Sequence, residues 1–279
     1  MVSNKNIAAY YDQTLNHYQT WWKLDDAMAV HYGLRDETTK KFSDELLNTN
    51  RIMAEMIHLK AGERILDAGC GVGGSLFYLT KKYKIRGSGL TLSEKQFRYA
   101  QKRAKELHLD QYVQFKKQDF CHTDFADESF DVVWALESLS HLPNKQDFAK
   151  EAFRLLKPGG RLIIACYNRT LKPDKRGLIK KWQTTWSLDS IVSTTSYIEL
   201  MEKAGFVVLK TEDLTKAAYP TAKRMYLASL IGMLPSLIYN ATHQTSHFAR
   251  RHFMSGIYQY KALKKGLWKY IIISLEKPK

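Results

Sequence analysis

The stretch ILDAGCGVGG at positions 65–74 constrains the fold more than any other part of the chain. An apolar strand runs into Asp67, and Gly69, Gly71, Gly73 and Gly74 then give a tight turn with no side chains on the ligand side, followed by a helix start. Such a loop at the carboxyl end of a first parallel strand lets a nucleotide lie against the backbone. A dinucleotide site usually adds an acidic residue about 20 positions on, at the tip of the second strand, to hold the ribose. Here that tip reads GLTLSEKQ, with Thr91 where the acid is expected. The loop also follows helical and aromatic material, which leaves an N-terminal segment free to fold back over a cofactor.

Around this loop, short apolar runs at 64–68, 84–90, 112–117, 130–135 and 161–166 alternate with helical patterns at 73–83, 93–107 and 144–156. Alternation of this kind predicts βαβ units and a parallel sheet. KPGG at 157–160 reads as a turn between a helix and the fifth strand. After Tyr167 the alternation breaks into a polar connection, then a helix over 195–204, a strand over 206–212, a largely helical stretch over 215–262 and a last strand over 268–277. The expected fold is α/β and Rossmann-like. It comprises a helical, aromatic lid over 1–60, a cofactor-binding core over 61–168, and the remaining strands over 169–279 with a helical cap inserted before the last one.

Composition narrows the setting. At 279 residues, 44% hydrophobic, the chain fits one large domain or a core with a modest cap. Cys70, Cys121 and Cys166 lack the spacing of a metal site or a disulfide framework, so a reducing cytosol is expected and no metal. The opening MVSNKNIAAYYDQ has no apolar core after a basic stretch, so no secretory signal is expected. MYLASLIGMLPSLIY at 225–239 is too short and interrupted to span a bilayer comfortably and reads as a cap or interfacial element. Of the net charge of +15, +11 falls within residues 171–279. That excess is a solvated surface on the plain reading; on the functional one it attracts an anionic membrane or an acidic substrate group.

ILDAGCGVGG, GLTLSEKQ, KKQDF, FDVVWALESLSHLP and KPGGRLII, in this order, resemble the successive motifs of class I S-adenosylmethionine-dependent methyltransferases over about residues 60–168. GLTLS in place of an acid-ended strand resembles γ-tocopherol methyltransferases, sterol side-chain methyltransferases and cyclopropane fatty-acid synthases. HYG at 31–33 and the closing YKALKKGLWKYIIISLEKP resemble the tocopherol group, and YYD at 10–12 the sterol group; residues 170–260 match neither. The resemblance implies a seven-stranded, mostly parallel sheet with an antiparallel last strand, and S-adenosyl-L-methionine as cofactor. It places Gly69 and Gly71 along the methionine end, with Asp67 supporting the loop through hydrogen bonds. It sets Thr91, Leu92 and Gln96 by the ribose and adenine, Asp119 and Phe120 on the adenine, and Leu136 at the end of the fourth strand. An adenine amino group needs an acceptor, and its faces favour aromatic cover.

On the acceptor side, transfer from a sulfonium is an in-line displacement that asks mainly for alignment and exclusion of water. Residues 10–32 hold Tyr10, Tyr11, Tyr18, Trp21, Trp22 and Tyr32. Electron-rich rings stabilise a sulfonium or a carbocation, and they equally pack a helix on a core. Tyr10 and Tyr11 are expected to act in catalysis and Trp21, Trp22 and Tyr32 to meet the substrate. Glu137 and His141, four positions apart after the fourth strand, share one face if the loop enters a helix and could remove a proton together. In the resembling families a Glu often precedes this His; Ser140 stands there instead, against the bicarbonate-assisted chemistry of cyclopropane synthases. In the cap, His243, His247, Arg250, Arg251 and His252 could bind a diphosphate or form a solvated face, and Arg250 and Arg251 are the expected substrate contacts.

The leading expectation is methylation of carbon on a hydrophobic isoprenoid or prenylated acceptor. The alternative on the same fold is O- or N-methylation of an aromatic or alkaloid-like molecule; another class is a basic membrane- or nucleic-acid-binding protein. ALESLSHLP is unlike the [DN]PP[YF] motif of base-modifying enzymes, and no RNA-binding module is recognisable, so no nucleic-acid partner is expected. A cytoplasmic protein touching a membrane peripherally through its basic cap completes the reading. The oligomeric state is left open.

Overall fold

In a computed structural model of the chain, residues 3–22, 24–242 and 247–279 are described. Among them, seven strands form one sheet in the order β3-β2-β1-β4-β5-β7-β6: β1 (Arg64–Ala68), β2 (Arg86–Thr91), β3 (Val113–Lys117), β4 (Phe130–Leu136), β5 (Leu156–Arg169), β6 (Val207–Asp213) and β7 (Trp268–Glu276). The pairs β1/β2, β2/β3, β1/β4 and β4/β5 are parallel, whereas β7 runs antiparallel to both β5 and β6. The seven-stranded, mostly parallel Rossmann-like sheet expected from the sequence is therefore present. Its order reverses between β1 and β4, and open α/β sheets bind ligands at such a switch point, outside the carboxyl ends of the strands.

Strand alternation builds two cores. On β4 and β5, Val132, Trp134, Ile163, Ala165 and Tyr167 face one side, and Val133, Ala135, Leu162, Ile164 and Cys166 the other. Helices α3 (Phe42–Met56), α4 (Gly74–Tyr83) and α5 (Glu94–Glu106) cover the first side; α6 (Lys145–Leu155) and α8 (Thr194–Lys203) cover the second. The helix starts are fixed locally. Ser93 accepts the amide of Gln96, Asn144 that of Gln146 and Ser193 that of Ser196, which satisfies a first-turn donor in each case.

Two sequence expectations are corrected. The polar connection after Tyr167 contains helix α7 (Leu178–Trp186), whose Leu178, Ile179, Trp182 and Trp186 are buried. KPGG is not a turn outside the sheet but the bulged start of β5. The Gly159 amide donates to the Lys277 carbonyl and that of Lys277 to Gly160, while the β4/β5 register shifts between Phe130 and Val132.

The N-terminal helices α1 (Asn4–Trp22) and α2 (Leu24–Ala27) cross the carboxyl edge of the sheet. The segment before β7 folds as α9 (Thr215–Ile231), α10 (Met233–Thr242), α11 (His247–His252) and α12 (Ser255–Lys264). Helix α12 packs on α7 and α9.

Candidate active site

The glycine loop joins β1 to α4. The amides of Gly69 and Cys70 both donate to the Leu90 carbonyl at the end of β2, pinning the loop to the neighbouring strand. Gly69 sits at φ +98°, and a Cβ there would lie 2.5 Å from Cβ of Ser138; only glycine fits where the β1 and β4 loops approach this closely. The bonds expected from Asp67 to the loop are not formed. Its carboxylate is buried with Oδ2 unpartnered, and that burial raises its pKa from the ordinary carboxylate value to about 8.

Together with the ends of β2, β3 and β4, this loop walls a cleft of ≈ 1090 Å³ of empty space, its mouth included. Asp67, Gly69, Gly71, Thr91, Leu92, Gln96, Asp119, Phe120 and Leu136 all line it, as do Tyr10, Tyr11, Glu137 and His141. Thr91 Oγ1 donates to Gln96 Oε1 at 2.8 Å. Asp119 accepts from the Cys121 amide at 2.8 Å and from Nδ2 of Asn4 at 2.7 Å. The orphan carboxylate oxygen of Asp67, the side-chain-free glycine loop and the acidic and aromatic pair Asp119 and Phe120 match the needs of S-adenosylmethionine: an acceptor for an ammonium, room against backbone, and an acceptor beside an adenine face.

The far end of the cleft is built differently. Glu137 follows β4 in the left-handed region, at φ +58°. Its Oε1 accepts from the Tyr32 amide at 2.8 Å and the Tyr270 hydroxyl at 2.7 Å, and its Oε2 from the Tyr167 hydroxyl. Desolvation nevertheless outweighs these bonds and lifts the Glu137 pKa from 4.5 to about 7. The loop then makes only one 3₁₀ turn, Leu139–His141, so Glu137 and His141 do not share a helix face. They line one cleft from separate anchorages. His141 Nδ1 is 2.9 Å from the Ser187 carbonyl, which can only accept, so Nδ1 carries the proton and Nε2 accepts from the Tyr11 hydroxyl at 2.8 Å. Burial pushes the His141 pKa down to about 4, so the ring is neutral near pH 7.

The remaining acceptor-side expectations divide. Tyr32 is not on the cleft wall: its ring is buried among Tyr167, Trp186, Trp268 and Tyr270, and its hydroxyl bonds Gln259 Oε1. Its backbone amide, not its ring, reaches the site. Arg250 and Arg251 are exposed and do not line the cleft. The side chains of Tyr18, Trp21, Trp22 and His247, and all of His243, lie outside the described residues. Tyr167, Trp186 and Leu188 line the cleft and went unassigned in the sequence, as did Met28 to His31. Leu178, Ile179, Trp182 and Trp186 recur at helical spacing, so the signal for α7 was present between the lysines. No group of His, Cys, Asp and Glu among the described residues could hold a metal ion.

Residues 66–164 match the family described as Methyltransferase domain. The chain is 31% identical over 240 residues to methyltransferase GfsG of Streptomyces halstedii, covering 84% of each chain. It is 33% identical to 2-methyl-6-phytyl-1,4-hydroquinone methyltransferase of Synechocystis, covering 78% of this chain and 71% of that one. In three dimensions it is similar to the cyclopropane synthase MmaA2 from Mycobacterium tuberculosis, with a TM-score of 0.84 at 17% identity over 98% of both chains. With a cleft shaped for the methyl donor and relatives of this closeness, the chain belongs to the S-adenosylmethionine-dependent methyltransferases.

Proposed function

We propose that this enzyme methylates a carbon atom of a hydrophobic isoprenoid or prenylated acceptor. The observation that carries the reading is Glu137. A carboxyl with its pKa raised to about 7 stands on three fixed donors in a cleft that Tyr10, Tyr11, Tyr167 and Trp186 also line. Carbon methylation of an alkene or an arene leaves a cation that must be stabilised and then lose a proton. Aromatic walls serve the first need and a carboxylate near neutrality the second. The relative acting on a phytyl hydroquinone supports an acceptor that combines a prenyl chain with an electron-rich ring.

When bound, S-adenosylmethionine supplies an electrophilic methyl group. In this reading Asp67, Gly69 and Gly71 hold its methionine end, Thr91, Leu92 and Gln96 its ribose, and Asp119, Phe120 and Leu136 its adenine. Tyr10 and Tyr11, on α1, close the cleft against water and face the acceptor. Residues 1–60 act as lid, 61–168 as cofactor core, and 169–279 add the strands and cap. The three buried free cysteines fit a cytosolic setting. A second reading, O-methylation of a phenol, is favoured by the unprotonated Nε2 of His141, which could take a hydroxyl proton relayed through the Tyr11 hydroxyl that donates to it.

Transfer of labelled methyl from the cofactor to prenyl diphosphates, sterols, prenylated phenols and amines, followed by location of the label in the product, tests the proposal. A C–CH₃ product with the wild type, and none with Glu137→Gln despite retained cofactor binding, is expected. Labelled ether or amine products overturn it.

A further inference from the structure

Helix α10 is an anomaly in a folded chain: it reads MLPSLIYNAT, and none of its residues is buried. It continues α9 across Gly232, whose amide donates to the Ala228 carbonyl and whose carbonyl accepts from the Ser236 amide, so the two helices run on with one residue between them. On this rod Leu227, Leu230, Ile231, Leu234 and Ile238 recur at three- and four-residue spacing and are all exposed, Ile231 by 70% and Leu234 by 65%. Such spacing sets them on one face. Soluble surfaces seldom carry a contiguous apolar stripe of this kind without a partner.

Charge identifies the partner. Residues 214–275 contain nine Lys or Arg and not one Asp or Glu. Two of those nine, Arg250 and Arg251, are exposed on α11, which is tied to α10 by a 3.1 Å bond from Asn240 Nδ2 to the Arg250 carbonyl. A second copy of this chain would bring the same acid-free, basic segment against itself, and like charges repel. A nucleic acid would meet the charge but leave five aliphatic side chains in water. An anionic bilayer answers both features, taking up the aliphatic stripe below the headgroups and the arginines among them. Among the described residues no helix is long and apolar enough to cross a membrane, so the contact is one of lying on the surface.

We propose that the exposed stripe of α9 and α10, flanked by Arg250 and Arg251, docks the enzyme on an anionic lipid surface. The docked face is joined to the cleft. His252, next to Arg251 on α11, packs edge-on against Tyr10 at 5.7 Å between ring centroids, and Tyr10 lines the cleft from α1. A lipid-soluble acceptor arriving from the bilayer therefore meets the junction of cap and lid first. The docking does not depend on which acceptor is methylated.

Flotation with vesicles of phosphatidylcholine alone and of an equimolar phosphatidylcholine and phosphatidylglycerol mixture tests it. Wild type is expected to float with the anionic vesicles only, and to detach when ionic strength rises from about 0.1 M to about 1 M, which shortens the screening length from about 10 Å to about 3 Å. Arg250→Ala with Arg251→Ala is expected to weaken vesicle affinity about five-fold per charge removed. Ile231→Glu with Leu234→Glu should abolish flotation. Calorimetric binding of S-adenosylhomocysteine, measured on the same samples, should match wild type in every variant. Wild type that floats with neither vesicle overturns the proposal while leaving the methyltransferase reading intact. So do glutamate variants that float undiminished, or that only dissociate a dimer.

Discussion

Replacing Glu137 by Gln tests the most unusual group in the cleft on grounds independent of any acceptor. With the folded pKa raised to about 7 from 4.5, the carboxyl is protonated in both states at low pH and ionised in both above about 7. Between those values the unfolded chain releases its proton first, so wild-type stability falls as pH rises from 4.5 to about 7 and is constant in this respect beyond. The gap corresponds to roughly 3 kcal/mol at about 1.36 kcal/mol per pKa unit. Glutamine keeps the shape, can accept the Tyr32 amide and the Tyr270 hydroxyl on its oxygen, and can donate to the Tyr167 oxygen, but it does not titrate. Relative to wild type, Glu137→Gln is therefore expected to gain stability steadily across that window. The gain should reach about 5 °C in Tm above pH 7, given an unfolding entropy of about 0.6 kcal/mol/K for a chain of this size. Differential scanning calorimetry of both proteins at pH 5, 6, 7 and 8 measures it, since every other titrating group cancels in the difference. A Tm difference that is flat with pH would refute the burial argument, whatever happens to activity.

Three further outcomes follow from the same geometry. Gly69→Ala, with φ +98° and its Cβ 2.5 Å from that of Ser138, should lower stability by at least about 2 kcal/mol and abolish cofactor binding, as read by chemical denaturation and calorimetry. Asp67→Asn removes a buried carboxylate with an unpartnered oxygen, so the free protein should gain stability while S-adenosylhomocysteine binds about ten- to a hundred-fold more weakly, the loss of one or more charged hydrogen bonds. Tyr11→Phe removes the donor to Nε2 of His141; the expected change is about 1 kcal/mol in stability at most, together with a lower kcat at unchanged cofactor affinity. Unchanged kcat would place Tyr11 outside the reaction.

The cofactor half of the cleft was legible because it is local. Strand, glycine loop and helix are contiguous in sequence, and the residues assigned from GLTLSEKQ and KKQDF sit on the next two strand tips, which a parallel sheet brings to one edge. The acceptor half was legible only in part: Tyr10, Tyr11, Glu137 and His141 could be named from the sequence and line the cleft, but the partners that hold them come from far along the chain. Glu137 is bonded by residues 105 positions before it and 30 and 133 after it, distances over which spacing carries no information. Tyr32 illustrates the difference: its aromatic identity suggested a wall, yet its ring belongs to the core and its main chain to the site. Helix α7 was hidden for a local reason. Lys180 and Lys181 interrupt four apolar residues whose partners on β5 and β7 are visible only once the sheet is folded.

Helix α1 is sewn to three different strand tips. Asn4 bonds Asp119 after β3, Tyr11 bonds His141 after β4, and Asp12 accepts from Ser93 Oγ at 2.5 Å and the Lys95 amide at 3.1 Å after β2. These stitches span 115, 130 and 81 to 83 positions. During synthesis α1 therefore leaves the ribosome long before any of its attachment points exist, and it cannot be seated until they do. A nascent chain therefore carries an open cleft at least until residue 141 has emerged and folded.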